Sequence, residues 1–405
     1  MQDSHCKIVA AIVVLFTAIQ LLILATFGYT PYPDSEGYLL LARQCVEQAQ
    51  WYPMANSLHE LPFLWNIGAI NAVVASLYLF HSITPLLVFY AFLKGATALI
   101  TYLLTAKLAN RRMALVALLL YVAYPANHGE CTSLLSEIPF IFFSLLGVYL
   151  SLCRHPFYGA SLLAVANWFR PMGMVFLATL IIYHLVQKNR KYLLQTLAGY
   201  ALMIMLIGGT AYISTHRFIF QAKTGWMALL QYSIDQTQEE EHIYLPDSTD
   251  CIEKDALWRQ QALRWIVQHP TEYVAQMPKK MANTYVSDNV NLCTFLPNKA
   301  HRPYLYSELS MQTLKTSFPK LTPVQALTVF NLLYYYALMG LFLMSIVYFY
   351  RRRKLKLLLL PLSIVVIGTL VLLFAGHGEA RFHLPFMPFI IMADALFIGF
   401  KKQIQ

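Results

Sequence analysis

Charged residues are scarce in this chain of 405 residues. Lys, Arg, Asp and Glu make up only 12% of the sequence, whereas hydrophobic residues make up 58%. A soluble globular domain carries roughly 25% charged residues, so the deficit is too large for a water-soluble core. Apolar stretches of about 20 residues recur along most of the chain, which is typical of membrane-spanning helices. The composition therefore predicts an all-α polytopic membrane protein.

The common motifs of soluble enzymes are also missing. The sequence contains no Gly-x-Gly-x-x-Gly, no Gly-Lys-Ser/Thr loop, no His-Glu-x-x-His and no Gly-x-Ser-x-Gly. Their absence disfavours nucleotide hydrolysis, zinc proteolysis and ester hydrolysis. None of the six cysteines forms a Cys-x-x-Cys pair, which argues against a zinc or thioredoxin-type motif. Cys251 and Cys293 could form a disulfide in an oxidising compartment, or both could be free thiols.

Eleven apolar runs are candidates for membrane helices. The first run is too long for the core of a signal peptide, and no small-x-small cleavage site follows it. We therefore expect it to remain in the protein as the first membrane helix. The runs cover residues 8–27, 62–80, 86–106, 113–126, 133–152, 158–169, 172–187, 193–214, 327–350, 357–375 and 384–400.

The basic loops predict how these runs are oriented, because loops rich in Lys and Arg stay in the cytoplasm. The sequence has five such basic loops. All five can face the cytoplasm only if one of the two apolar runs between residues 28 and 106 does not cross the membrane. The run at 62–80 contains Asn66, Gly68 and Asn71, so we predict an interfacial or re-entrant helix there, on the outer face. About ten transmembrane helices then remain, with both termini cytoplasmic. The basic loops are Lys107–Arg112, Arg154–His155, Lys188–Lys191, Arg351–Lys356 and Lys401–Lys402.

The longest stretch without membrane character is expected to form one large extracytoplasmic segment. A helix is predicted within it near Glu253–Gln268, ended by His269-Pro270. Its expected apolar face comprises Ala256, Leu257, Leu263 and Ile266. Three regions result: an N-terminal transmembrane module at 1–214 with a first outer loop at 28–84, the extracytoplasmic segment at 215–326, and C-terminal transmembrane helices at 327–405. The net charge of +10 is interpreted mainly as an orientation signal, so no nucleic-acid partner is expected.

Acidic and basic side chains collect on the predicted outer face. Because the orientation rests on the basic loops alone, this clustering independently supports a single site. Single members have structural explanations: Asp34 could cap a helix that starts at Ser35, Glu137 could interact with a helix dipole, Arg170 could snorkel, and the histidines could be ordinary interface residues. The set consists of Asp34, Glu36, Glu130, Glu137, Arg170, His377, Glu379, Arg381 and His383.

Such a set has the parts for one kind of reaction. A carboxylate near a membrane surface can accept the proton of an acceptor hydroxyl. Basic groups beside it can bind a phosphate and stabilise its negative charge as it leaves. The natural substrate at this depth is a lipid that carries a phosphate and a sugar. An inverting displacement then needs only one base, unlike the carboxylate pair of glycoside hydrolases.

Three motifs connect the chain with a known superfamily. The first is Asp34-Ser-Glu-Gly-Tyr38 in the first outer loop. The second is Ser136-Glu-Ile-Pro-Phe140 followed by Arg170-Pro-Met-Gly173, and the third is Glu379-Ala-Arg-Phe-His-Leu-Pro385 before the last helix. In the order and placement of these motifs, the chain resembles the GT-C superfamily of integral-membrane glycosyltransferases. The closest likeness is to the branch with protein O-mannosyltransferases and bacterial aminoarabinose transferases.

The resemblance implies a GT-C fold, a juxtamembrane helix in the first outer loop and a polyprenyl-phosphate sugar as donor. It implies that Asp34 is the catalytic base, with Glu36 as a supporting acid, and that His59 takes the place of a basic residue. Most such relatives need no metal, so no cofactor is expected, although the Asp-x-Glu spacing could hold a divalent cation. The acceptor could be a glycan, a lipid or a protein. Substrate binding is expected to involve Tyr38, His59, Glu137, Arg170, His377, Glu379, Arg381 and His383.

Two other functions fit parts of the pattern. A flippase or transporter of polyprenyl-linked sugars would also carry charged residues among its membrane helices. Transporters often contain internal repeats, however, and none is found here, while the acids lie at one face and not at the midplane. An assembly subunit could have kept the fold without the activity. The sequence therefore favours a glycosyltransferase at the outer face of the cytoplasmic membrane.

Overall fold

A computed structural model describes residues 2–53, 66–223, 225–234, 251–296, 309–318, 320–376 and 378–402. Within these ranges the chain forms α-helices and short 3-10 turns. The N-terminal helices are α1 (Gln2–Phe27), α2 (Pro33–Glu47), α3 (Ile67–Phe80), α4 (Thr84–Leu108), α5 (Arg111–Ala123), α6 (Glu137–Leu152), α7 (Pro156–Phe169), α8 (Gly173–Val186) and α9 (Arg190–Thr215). The later helices are α10 (Gly225–Ile234), α11 (Cys251–Gln268), α12 (Pro270–Ala275), α13 (Met277–Tyr285), α14 (Met311–Ser317), α15 (Pro323–Arg351), α16 (Leu359–Ala375) and α17 (Met387–Lys402).

Local sequence signals mark where several helices begin. Proline is the first residue of α2, α7, α12 and α15. The backbone N–H at this position has no acceptor within the helix, so proline costs no hydrogen bond there. The side chain of Asn110 accepts the N–H of Met113 at 3.0 Å before α5. Thr322 and Gln325 form a capping box at the start of α15. These helix starts are therefore encoded locally, before any tertiary packing.

The chain is a multi-pass membrane protein. Among the described residues, six helices are long and apolar enough to cross a membrane: α1, α4, α9, α15, and the spans Leu355–Ala375 and Ala380–Lys401. The helices α3 and α5 to α8 have only 13 to 16 residues. At a rise of 1.5 Å per residue they measure about 20–24 Å, which is less than a hydrocarbon core of about 30 Å. Each predicted apolar run thus contains a helix, but not each helix has full spanning length.

The chain bends sharply before α6. Two 3-10 turns, Pro125–Asn127 and Glu130–Thr132, precede α6. The stretch Pro125–Thr132 and α6 are bent by 117° relative to each other, as in a broken membrane span or a re-entrant loop. Lys94 of α4 holds this bend, because its Nζ lies 2.6 Å from Glu130 Oε2 and donates to Asn127 Oδ1 at 3.1 Å. The sequence placed Glu130 with the acids of the predicted site. The structure pairs it with a buried lysine that the motif pattern did not include.

The segment at 215–326 contains the predicted helix, which is α11 and ends before His269. The predicted apolar face is wrong at two of its four positions, because Ala256 is exposed and Leu263 is 47% exposed, whereas Ile266 packs against the buried cluster of this helix. The buried hydrophobic side chains of α11 are Trp258, Ala262 and Trp265, which pack with residues of α10. Two large indole rings remove more apolar surface from water than the smaller side chains do, and they decide which face turns inward.

The segment at 215–326 packs, through α12 and α13, against the end of α16 and the turn Ala380–Phe386. The Tyr273 hydroxyl donates to the carbonyl oxygen of Phe374, and Tyr285 Oη lies 2.6 Å from Thr369 Oγ1. A Cβ at Gly378 would collide with the backbone of Lys280 in α13, so only glycine allows this close approach. The segment thereby holds the turn that carries Arg381. The division into three regions stays a prediction.

Candidate active site

The first turn of α2 carries both acids of the first motif, Asp34 and the half-buried Glu36. The helix begins at Pro33, and its N-cap residue is Tyr32, whose N–H donates to Ser35 Oγ at 3.2 Å. The alternative that Asp34 caps a helix starting at Ser35 is therefore wrong. The Asp34 side chain is 25% exposed at the helix N-terminus, where the helix dipole stabilises a negative charge.

Arg381 lies at the centre of the site. Its Nη1 is 2.6 Å from Asp34 Oδ2 and 3.8 Å from Glu137 Oε1, and its Nε is 2.7 Å from Glu379 Oε1. A guanidinium presents five donors in one plane, so a single side chain can hold several carboxylates. These carboxylates come from α2, from α6 and from the residue before the turn Ala380–Phe386. Three distant parts of the chain therefore meet at one cation.

Arg170 forms a second ion pair with Glu137, which thus lies between two guanidiniums. Arg170 is the C-cap residue of α7, and Pro171 ends the helix there. The ring of Phe382 packs near both cations, 4.9 Å from Cζ of Arg170 and 5.9 Å from Cζ of Arg381. The structure thus brings together five of the predicted site residues, Asp34, Glu137, Arg170, Glu379 and Arg381.

Tyr38 is buried one helical turn after Asp34 and belongs to the same network. Asn66 Nδ2 lies 2.8 Å from Tyr38 Oη and 3.1 Å from Ser136 Oγ, and the Ser136 hydroxyl is 3.3 Å from Glu137 Oε2. Burial raises the pKa of the Tyr38 phenol, and the charge of Asp34 raises it further, so the phenol stays neutral. Asn66 was not assigned to the site from sequence, although an amide inside an apolar run was a signal.

His383 is fully buried against residues of the segment at 215–326. Its Nδ1 lies 2.6 Å from the carbonyl oxygen of Thr284, and its Nε2 lies 3.7 Å from Asp288 Oδ1. The rings of Tyr285 and Tyr335 pack against it at centroid distances of 5.6 and 5.1 Å. These contacts anchor the turn in which His383 lies, so the side chain positions its neighbours. Thr284 and Asp288 belong to no motif, and sequence reasoning missed both.

Some predicted residues lie outside the described part of the chain. His59 and His377 are not described, and neither is the side chain of Cys251, so their roles and a disulfide with Cys293 stay predictions. In the described part, no three His, Cys, Asp or Glu side chains are grouped to hold a metal ion. A cation bound by Asp34 and Glu36 also stays a prediction.

An apolar cavity of about 550 Å³ lies beside α7. It is formed mainly by α3, α7 and α9, and we term it the α3–α7–α9 cavity. Phe169 lines it and directly precedes Arg170. A Cβ at Gly68 would lie 3.0 Å from the carbonyl oxygen of Trp168, so glycine lets α3 approach α7 closely at this wall. An apolar space of this size is within the range of ligand-binding cavities.

The chain was compared with known proteins by sequence and by structure. No protein-family model matches it, and no curated protein matches it either. The crystal structure of the Archaeoglobus fulgidus oligosaccharyltransferase in the apo form is similar over 98% of this chain and 51% of its own, with 13% sequence identity and a TM-score of 0.52. The same protein tethered by a disulfide bond to an acceptor peptide with the NVT sequon gives 97% and 50%, with 13% identity and a TM-score of 0.50.

The chain therefore spans about half the length of the solved structures that it matches. The likeness extends over nearly all of its described helices, while at 13% identity it concerns the fold alone. The fold expected from the three motifs is confirmed. This chain has the fold of the GT-C membrane glycosyltransferases.

Proposed function

We propose that the chain is a glycosyltransferase that moves a sugar from a polyprenyl-phosphate donor to an acceptor hydroxyl. The fold supports this proposal, and the observation that carries it is the position of Arg381. This guanidinium is paired with Asp34 and lies 3.8 Å from Glu137, which also pairs with Arg170. A candidate base and two candidate phosphate-binding cations therefore belong to one connected network.

Asp34 is the proposed base. The oxygen of the acceptor hydroxyl attacks the anomeric carbon of the sugar, and its proton passes to a carboxylate oxygen of Asp34. The bond between the anomeric carbon and the phosphate oxygen breaks, and its electron pair leaves with the phosphate. Because the phosphate leaves without an acid, a single base suffices and the anomeric configuration is inverted. Glu36, in the same helical turn, is the proposed supporting acid.

Arg381 exchanges partners in this proposal. Its Nη1 is paired with Asp34, the proposed base. A donor phosphate near Arg381 and Arg170 would compete with Asp34 for the guanidinium, and Asp34 would then be available to the acceptor hydroxyl. The two guanidiniums would stabilise the charge that grows on the leaving phosphate. The chemistry of these side chains is sufficient for the step, and we propose no metal cofactor.

The α3–α7–α9 cavity is the proposed site of the donor's polyprenyl chain. Its lining is mostly apolar, and a chain in it would bring its phosphate to Arg170, next to the cavity wall. Ile213 at the cavity is 79% exposed, as expected of a side chain that contacts lipid. The basic loops support an extracytoplasmic site with both termini in the cytoplasm.

Transfer by membranes that contain the protein tests the proposal. They are incubated with a panel of tritiated polyprenyl-phosphate hexoses and pentoses, and the labelled product is isolated. We expect label in an acceptor with one donor of the panel, and none in membranes with the Asp34→Asn variant. Movement of the labelled lipid across the bilayer without product would overturn the proposal in favour of a transporter. If neither transfer nor lipid movement is detected, the result would indicate an inactive assembly subunit and would also overturn the proposal.

A further inference from the structure

The helices α12 and α13 bury polar side chains and expose apolar ones. They continue one another across Gln276, whose carbonyl oxygen accepts the N–H of Lys280 at 2.9 Å. The side chains that they bury all carry a polar group: Tyr273, Gln276, Lys280 and Thr284. Val274 and Met281 are, in contrast, 59% and 50% exposed. A helix that faces water normally turns its apolar side chains inward, so this exposed side is expected to contact something less polar than water.

The exposed side chains of α12 and α13 form two strips. Residues that share one side of a helix recur at intervals of three, four or seven positions. Val274, Pro278 and Met281 follow this spacing and form an apolar strip. The second strip is polar and consists of Glu272, Lys279 and Asn283. An exposed helix with an apolar side and a charged side is typical of a helix that lies in a membrane interface.

The C-terminal end of α13 is held by two helices that are long and apolar enough to cross the membrane. Tyr285 Oη lies 2.6 Å from Thr369 Oγ1 of α16. The Tyr336 hydroxyl of α15 donates to the carbonyl oxygen of Val286, directly after α13, at 2.6 Å. Thr369 and Tyr336 both lie within candidate membrane spans, Leu355–Ala375 and Pro323–Arg351. The contacts therefore place the end of α13 at a depth that these spans occupy.

The apolar strip continues a surface that already faces lipid. Leu333 and Leu370 stand within one helical turn of the two contacts, and both are exposed on spanning helices. Exposed apolar side chains of a spanning helix contact lipid, because lipid is the solvent around it. Val286 lies between them and the strip and is also exposed. The polar strip carries charges of both signs, Glu272 and Lys279, which suits the two charges of a zwitterionic headgroup.

We propose that α12 and α13 form an interfacial helix that binds the lipid bilayer, in the leaflet at the Ala375 end of α16. The apolar strip contacts the acyl chains, and the polar strip contacts the headgroups. This inference goes beyond the proposed function and does not depend on it. Within the segment at 215–326, α12 and α13 then belong to the membrane. Because Gly378 lies against the backbone of Lys280, the lipid-bound helix also supports the turn that carries Arg381.

Photolabelling from the lipid tests this proposal on the intact chain. The unmodified protein is placed in nanodiscs of phosphatidylcholine that carries a diazirine on an acyl chain, irradiated, and its labelled peptides are mapped by mass spectrometry. We expect adducts between Val274 and Val286 at a yield within about threefold of that around Leu333 and Leu370, the lipid-facing references. Labelling of both references without adducts between Val274 and Val286 would mean that water or protein covers the strip, and it would overturn the proposal.

Two variants that add the same charge sharpen the test. Met281→Asp places a carboxylate in the apolar strip, where contact with acyl chains is costly, and should lower the yield of adducts between Val274 and Val286 about tenfold. Asn283→Asp places it in the polar strip and should leave that yield unchanged. Unchanged labelling around Leu333 in both variants reports that the protein is folded in the bilayer. Equal yields in the two variants would contradict insertion of the apolar strip.

Discussion

Two buried ion-pair systems in this protein have similar chemistry and different surroundings. Lys94 and Glu130 form a pair of 2.6 Å whose side chains are 3% and 2% exposed. Arg381 and Asp34 form a pair of 2.6 Å whose side chains are 12% and 25% exposed. The first pair is enclosed at a chain bend, and the second belongs to a network whose member Glu379 lines a cavity. Access for a ligand, and not ion pairing itself, distinguishes the candidate site from a structural contact.

The two systems also differ in how the charges are balanced. Lys94 meets a single carboxylate and one amide oxygen. At the site, three carboxylates share two guanidiniums, and Glu137 contacts both. A cation with several partners can exchange one of them for a phosphate without being left unpaired in a buried place. Shared pairing therefore suits a site that binds and releases an anion.

The largest effect is expected for Asp34→Asn. Loss of the proposed base should lower transfer by about 10²–10⁴-fold, while the thermal unfolding temperature stays close to that of the unmodified protein. Transfer is measured with the labelled donor, and unfolding is followed by intrinsic fluorescence in detergent. Glu36→Gln in the same helical turn is the control and should cost less. Full transfer by Asp34→Asn would show that another group is the base.

Lys94→Met tests the structural half of the comparison. Leaving Glu130 buried without its cation should lower the free energy of unfolding by about 3–5 kcal/mol. The KM for the donor in the folded fraction should not change, because the pair is enclosed away from the cavities. The double variant Lys94→Met with Glu130→Leu should recover most of the stability. A normal unfolding temperature combined with a raised donor KM would show that this pair takes part in donor binding and is not a structural contact.

Arg381→Lys keeps the positive charge and removes the planar guanidinium group with its five donors. A lysine cannot hold Asp34, Glu379 and a phosphate at the same time, so we expect transfer to fall about 10²-fold with a raised donor KM. The exposed Arg352 in a basic loop supplies the matched control, Arg352→Lys, which should behave as the unmodified protein. An unchanged donor KM in Arg381→Lys would contradict phosphate binding by this residue.

The smallest change in stability is expected for a substitution of Lys280. In contrast to Lys94 and Arg381, this buried cation has no carboxylate partner among the described residues. Its Nζ has no hydrogen-bond partner among the described residues, and it lies 5.5 Å from the centre of the Tyr273 ring. Burial lowers the pKa of Lys280 below its ordinary 10.5. The unfolded chain then binds more protons in the window between the lowered pKa and 10.5, so stability should rise with pH there.

Lys280→Met should therefore raise the unfolding temperature at neutral pH, by an amount that shrinks as the pH approaches 10.5. The exposed neighbour provides the control Lys279→Met, which should show no such pH-dependent gain. Unfolding temperatures across the pH range decide the outcome. A destabilised Lys280→Met at neutral pH would mean that the ammonium is satisfied in the folded protein.

Much of the site followed from sequence because its members occupy local motifs. Asp34, Arg170 and Arg381 each stand next to a helix end, where proline, an apolar run and a charge can be read within a few residues. Apolar length and basic loops likewise predicted the helices of the transmembrane regions. These features depend on neighbours along the chain, so the amino-acid sequence alone was enough to identify them.

Tertiary structure alone decided which charges became partners. Glu130 was grouped with the other acidic and basic residues of the predicted site, but it lies before a 117° bend and pairs with Lys94 of α4. His383 was expected to bind substrate, yet it is buried against Thr284 and Asp288, about a hundred residues earlier in the sequence. In α11 the inward face was set by two tryptophans and not by the aliphatic spacing. An ion pair or a buried face depends on distances between remote segments, and these distances exist only once the helices have packed.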